Sequence, residues 1–340
     1  MVCFYFYYAL APSTHRSYNS AKKRYTDFCS QAHLEPLPAQ EHQLCLYVSH
    51  LARSGLRHQT IKCYLSAIRH LQIQHGKGDP FIASMPKLEQ VVKGIKSHQA
   101  RQGPGASSRT RLPITPTILK KIRGVLSQNP SDFNNIMIWA ACCLCYFGFL
   151  RSGEICVPSL SGYDAGAHLS HGDIAFDSQN NPALLAVTIK ASKTDSFRKG
   201  VQIFIGCTGC ECCPFAAVLP FLALRGTATG PLFRFANGDP LTRDAFVREV
   251  RRALSSAGVD PGAYCGRSFR IGAATVAAAV GIEDSTIMTL GRWNSSAYLR
   301  YIRTPRELLA SVSKRIASNA PETVTALQAV QTNRSRGRRV

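Results

Sequence analysis

Apolar residues recur at helical spacing through most of this chain, and two β-branched runs, Leu184 to Lys190 and Val201 to Ile205, interrupt that pattern. A chain built this way is expected to be mostly α, with an α+β part in which the two runs pair as a small antiparallel sheet across the polar, basic turn between them. Residues 12–102 predict a bundle of four helices, Thr14 to Cys29, Gln40 to Arg53, Thr60 to His75 and Leu88 to Ser97, each with one apolar stripe. Gly103, Pro104, Gly105, Ser107 and Ser108 mark residues 103–112 as a linker. Over 113–318 helices are expected at Pro116 to Leu126, Asn134 to Leu150, Ala216 to Leu224, Arg243 to Ala257, Ser268 to Val280, Asp284 to Leu290 and Arg306 to Ile316. Residues 319–340 read as a basic disordered tail.

Charge narrows the choice of partner. Lys and Arg total 41 against 20 acidic residues, a formal net charge of +21 over 340 residues. Such a balance favours polyanions through counterion release and steering, so double-stranded DNA is the expected partner and no small-molecule substrate is called for. No apolar run reaches membrane-spanning length and no basic helix has a clean apolar face, so no membrane association is expected. The opening Met1 to Leu10 is apolar but lacks a basic start and a cleavage site, which makes it a poor signal peptide. Thirteen cysteines, several inside apolar helices (Cys142, Cys143, Cys145), suit reduced thiols inside the cell. No Asp and Glu cluster of the kind two metal ions need is evident, which argues against a metal-dependent nuclease.

Some cations stand where packing would prefer something else. Arg151 follows the apolar run Tyr146 to Leu150, and Arg270 lies within a helix of small residues, Ser268 to Ala274. An unpaired buried guanidinium is costly. Glu154, three residues on, can pair with Arg151, but that leaves Arg270 unexplained. Two partly buried arginines converging on one anion would bind a phosphate and stabilise charge on its non-bridging oxygens. Lys190, Lys193, Arg198 and Lys199 crowd the hairpin turn, either as a solvated tip or as a flexible ammonium able to protonate a leaving oxygen. Lys22, Lys23, Arg24, Lys62 and Arg69 line polar faces of the bundle, and those faces read equally as solvated surface or as phosphate contacts. Arg292, Trp293, Tyr298 and Tyr301 gather in one short segment expected to be helical, with the tyrosines three apart on one face. Cys207, Cys210, Cys212 and Cys213 invite a zinc reading, but no second ligand pair follows at finger spacing, and free thiols at a strand-to-helix turn are the plainer account.

Phe-Leu-Arg151-Ser-Gly-Glu, Ser-Lys193-Thr-Asp, Ser-Phe-Arg270-Ile-Gly-Ala-Ala-Thr and Leu-Gly-Arg292-Trp293-Asn-Ser-Ser-Ala-Tyr298-Leu-Arg-Tyr301-Ile-Arg, in that order, resemble the tyrosine recombinase (phage integrase) family. The Ser-Phe-Arg-Ile-Gly-Ala-Ala-Thr variant and the Tyr-Ile-Arg-Thr-Pro ending most resemble recombinases of DIRS-type and Ngaro-type retrotransposons. The resemblance spans about residues 12–318. It implies a core-binding (SAM-like) bundle followed by a catalytic domain, acting on DNA as a homo-tetramer, in the nucleus, without metal or cofactor. It also implies that Tyr301 attacks the scissile phosphate to give a 3′-phosphotyrosyl bond, Arg151 and Arg270 clamp that phosphate, Lys193 protonates the leaving oxygen, and Arg292 with Trp293 lies beside the phosphate.

One position departs from the pattern. The family usually has His three residues before the second arginine, and here Arg267 stands there. Histidine shuttles a proton near neutral pH, whereas arginine stays charged and donates hydrogen bonds only. Phosphate binding is expected to survive and turnover to fall. Beside the recombinase reading stand a DNA-binding protein that has lost cleavage and, more distantly, a type IB topoisomerase.

Overall fold

The computed structural model describes residues 1–103, 110–178, 182–192, 195, 199–304 and 309–310. The chain divides into two compact units, Met1–Arg109 and Thr110–Val340. The first consists of helices α1 (Val2–Tyr8), α2 (Pro12–Gln31), α3 (Glu41–Arg53), α4 (His58–Gln74) and α5 (Pro86–Arg101). Prolines at the first turns of α2 and α5 sit where the missing N–H costs nothing. The core is formed by Tyr25 and Cys29 from α2, Leu44, Tyr47, Val48 and Leu51 from α3, Ile61 and Ile68 from α4, and Leu88 from α5. Two buried glutamines fix the turn between α2 and α3. Gln43 donates to the Glu35 carbonyl (2.8 Å), and Gln72 accepts from the Ala39 N–H (2.8 Å). No element is expected from sequence over Met1 to Leu10, yet α1 forms there. Seven residues, apolar throughout, show no periodicity to read.

The second unit is helical around a small sheet. Its elements are α6 (Pro116–Leu126), α7 (Phe133–Phe147), the single turn α8 (Ser152–Ile155), strands β1 (Ile174–Phe176), β2 (Leu184–Ile189) and β3 (Val201–Gly206), then α9 (Pro214–Arg225), α10 (Arg243–Ser256), α11 (Ser268–Ala279) and α12 (Asp284–Gly291). Thr115, Asp132 and Thr242 cap α6, α7 and α10 by accepting from main-chain N–H groups of the first turn. Helix α7 is buried from Met137 to Tyr146 except for Trp139, and both α9 and α11 pack against it. The sheet order is β1-β2-β3, antiparallel throughout, with Val187 opposite Ile174 on one side and Ile203 on the other. Leu185, Val187 and Ile189 alternate into the core.

The expected hairpin is present, and β1 extends it; three residues are too few to announce a strand by alternation. Helix α7 ends at Phe147 rather than Leu150 because Phe149 takes a left-handed backbone (φ 50°). The segment expected to be helical through Arg303 breaks after α12. Arg292 is also left-handed (φ 55°), and Ser296–Arg300 form a 3₁₀ turn. The helix expected at Arg306 to Ile316 lies almost wholly outside the described residues, as do the basic tail and most of the linker.

Gly272 shows why the small-residue run matters. A Cβ there would collide with the main chain of Ile114, whose N–H donates to the Ser268 carbonyl (2.9 Å). Gly124 in α6 faces open space. Gly272→Ala is therefore expected to lower stability by about 2 kcal/mol, whereas Gly124→Ala should raise it by about 0.5–1 kcal/mol. Urea midpoints of the two variants check the contrast.

Candidate active site

The site is built around a carboxylate. Glu154, in the short turn α8, has a side chain only 3% exposed and uses both oxygens fully. One accepts from the Arg151 guanidinium (2.7 Å); the other accepts from the Arg151 main-chain N–H (2.9 Å) and from the Arg292 guanidinium (2.8 Å). Two cations 141 residues apart in sequence are thereby fixed by one anion. Arg292 also donates to the carbonyls of Gly148 (3.3 Å) and Phe149 (3.4 Å).

Arg270 projects from the first turn of α11 and is 1% exposed. It donates to the Phe149 carbonyl (2.8 Å) and to the Gly291 carbonyl. These two carbonyls are the structural partners that no sequence pattern revealed. The left-handed turn at Phe149 aims its carbonyl at Arg270 and Arg292 together, a strained conformation of the kind that clusters at functional sites. Burial, and then the neighbouring charges of Arg151 and Arg292, draw the Arg270 pKa down to about 9, so it remains a cation at neutral pH. Arg292 is lowered as well, first by burial. The Nε atoms of both arginines are buried and find no acceptor among the described residues.

Aromatic rings complete the arrangement. The Arg270 guanidinium carbon lies 4.1 Å from the centre of the Trp293 ring and 5.5 Å from that of Tyr301, and the two rings are 5.0 Å apart. Trp293 is 8% exposed: its six-membered ring occupies the space over Gly291, where any side chain would clash. Its ring thus walls the site from beneath rather than standing on the surface. Tyr298 is buried against Trp293, while Tyr301 is half-buried. Thr275 holds the Tyr301 backbone, its hydroxyl donating to the Tyr301 carbonyl (3.2 Å) and accepting from the Arg303 N–H (3.0 Å).

The other expected residues are scattered. Lys193 and Arg198 lie outside the described residues. Lys190 is committed to the fold, paired with Asp173 (2.7 Å) and donating to the Ala165 carbonyl (2.9 Å). Lys199 is exposed, and its main-chain N–H donates to Asp195 (3.2 Å). Arg267 is exposed at the start of α11. In the first unit Lys22 reaches from α2 to His70 (3.1 Å) and Gln74 (2.9 Å) of α4, and Arg69 pairs with Asp79. Lys23 and Lys62 are exposed and Arg24 is partly buried.

Some residues of this neighbourhood were missed in the sequence. Thr275 was visible in its motif but carried no charge to mark it. Arg243, at the start of α10, places its guanidinium beside Gly153, next to Arg151 and Glu154. Glu154→Gln would leave Arg151 and Arg292 without their anion beside buried Arg270, so a loss of about 3 kcal/mol is expected, read as a lowered denaturation midpoint.

No family model matches the chain. Over 305 residues it is 24% identical to an integrase/recombinase xerD homolog of Selenomonas ruminantium, covering 86% of this chain and 82% of the relative. Among solved structures it is similar to the XerH site-specific recombinase bound to a palindromic difH substrate, with TM-score 0.61, 13% identity and coverage of 88% of this chain and 78% of that one. It is likewise similar to the Tn1549 transposon integrase in complex with circular intermediate DNA, with TM-score 0.58, 15% identity and coverage of 90% and 94%. The mostly helical architecture with its three-stranded antiparallel sheet is the fold of the tyrosine recombinases.

Proposed function

We propose that this chain is a tyrosine recombinase that cuts and rejoins DNA through Tyr301. The observation that carries the reading is the meeting of Arg151, Arg270 and Arg292 around Glu154, with Tyr301 stacked close to Arg270. One carboxylate cannot neutralise three guanidiniums, and the buried Nε donors of Arg270 and Arg292 lack acceptors among the described residues. A phosphodiester would supply both the charge and the oxygens. The likeness to recombinases, some of them solved with DNA, supports the same class of substrate.

In this reading the Tyr301 hydroxyl gives its proton to solvent as its oxygen bonds to phosphorus, the bond to the 5′ oxygen breaks, and Lys193 gives that oxygen a proton. Arg151, Arg270 and Arg292 hold the non-bridging oxygens, while Glu154, Trp293 and Thr275 fix the geometry of those that react. Attack by a second strand's 5′ hydroxyl reverses the step and completes the exchange. The exposed cations Lys23, Lys62, Arg243 and Lys199 would meet the DNA backbone, and pairing of two duplexes would require a tetramer. The Ser268 to Thr275 motif supports an origin in a DIRS-type or Ngaro-type element.

Arg267 favours a second reading, a DNA-binding protein that no longer cleaves. It stands where a proton-shuttling histidine is usual and is exposed. Nicked suicide duplexes, from which the cleaved end diffuses away, separate the two. Wild type is expected to form a denaturant-resistant adduct that Tyr301→Phe abolishes, and Arg267→His should speed its formation by about 100-fold. An adduct with Arg267→His alone would establish the second reading, and Tyr301→Phe retaining the adduct would overturn the nucleophile assignment.

A further inference from the structure

The turn that leads from β3 into α9, residues 207–213, takes no part in the site above, yet it is held firmly in place. Glu211 pairs with Lys120 (2.6 Å) and Arg123 (3.3 Å) of α6. The Cys143 thiol of α7 donates to the Cys212 carbonyl (3.9 Å), the Cys207 N–H donates to the Ala183 carbonyl (3.2 Å), and the Cys213 N–H closes the turn onto the Cys210 carbonyl (2.9 Å). Within that frame the Cys207 and Cys213 sulfurs face each other at 3.6 Å. This is van der Waals contact, from which a small rotation of the side chains brings a bond within reach.

The two thiols differ in a useful way. Cys207 is exposed, whereas Cys213 is 5% exposed and caps α9. Burial pushes the Cys213 thiol up, but hydrogen bonds from Thr208 and from the main-chain N–H groups of Phe215 and Ala216 outweigh it and bring it down to about 6. The buried thiols Cys142, Cys143 and Cys145 of α7 are all pushed up by burial and are inert by comparison. Among the described residues no group of three His, Cys, Asp or Glu side chains is placed to hold a metal ion, and the Cys210 sulfur is engaged with the Thr208 hydroxyl (3.2 Å). Chemistry between two sulfurs is what this arrangement favours.

We propose that Cys207 and Cys213 form a dithiol that hydrogen peroxide converts to a disulfide. The Cys207 sulfur attacks one peroxide oxygen, the O–O bond breaks, and the departing hydroxide takes the Cys207 proton to form water, leaving a sulfenic acid on Cys207. The Cys213 thiolate then attacks the Cys207 sulfur, the S–O bond breaks, and a second hydroxide leaves. Two thiol sulfurs lose two electrons in all, and the peroxide gains them. The bond ties the end of β3 to the first turn of α9, so it clamps the open end of the β2–β3 pair.

The test is mass spectrometry of the full chain after brief exposure to equimolar peroxide, with digestion under conditions that block free thiols. A Cys207–Cys213 cross-link is expected, reversed by dithiothreitol, and formed about tenfold faster than oxidation of exposed Cys63. Cys213→Ser should halt Cys207 at the sulfenic acid, detectable with dimedone. A bond from either residue to Cys210, or oxidation of Cys207 and Cys63 at equal rates without a cross-link, overturns the proposal.

Discussion

Glu154 is the anion that fixes Arg151 and Arg292. A lone buried carboxylate would be as costly as a lone buried guanidinium, and each becomes tolerable through the other. Because its oxygens take Arg151, the Arg151 N–H and Arg292, the same side chain starts the turn α8 and joins it to the residue that ends α12. Fold and site are therefore one network here. The left-handed backbones at Phe149 and Arg292 belong to it, since each turns a polar group inward where a helix would have turned it along its own axis.

The fold was largely legible because it is made of helices with one apolar face. In the helix expected over Gln40 to Arg53, the apolar residues at helical spacing, Leu44, Tyr47, Val48 and Leu51, are buried in α3. What failed to show was short or entirely apolar: β1, with three residues, and α1, whose seven residues offered no contrast between faces. Helix ends were misjudged where a non-glycine residue entered the left-handed region. Nothing in the identity of Phe149 or Arg292 foretells that, because the stabilising contacts come from residues over a hundred positions away.

The site was legible in a different sense. Arg151, Arg270, Arg292 and Tyr301 were picked out as residues in unusual company, and the structure brings them together. The main-chain partners of Arg270, the carbonyls of Phe149 and Gly291, were not readable. Trp293 forms a wall on which Arg270 and Tyr301 rest, its ring occupying the space over Gly291. Lys190 looked like one of several turn cations, and its pairing with Asp173 depends on β1 and on the 3₁₀ turn His171–Asp173 before it, neither of which had a signal.

The stacking of Trp293 against Arg270 and Tyr301 has a practical side. The chain has two tryptophans, and Trp139 lies on α7 packed against the core. Trp293 alone shares van der Waals contact with a guanidinium of the cluster, and its indole emission is sensitive to how closely that positive charge approaches the ring. The molecule thus carries an intrinsic optical reporter at the centre of its arginine cluster, one that senses rearrangement of those charges without any label being attached.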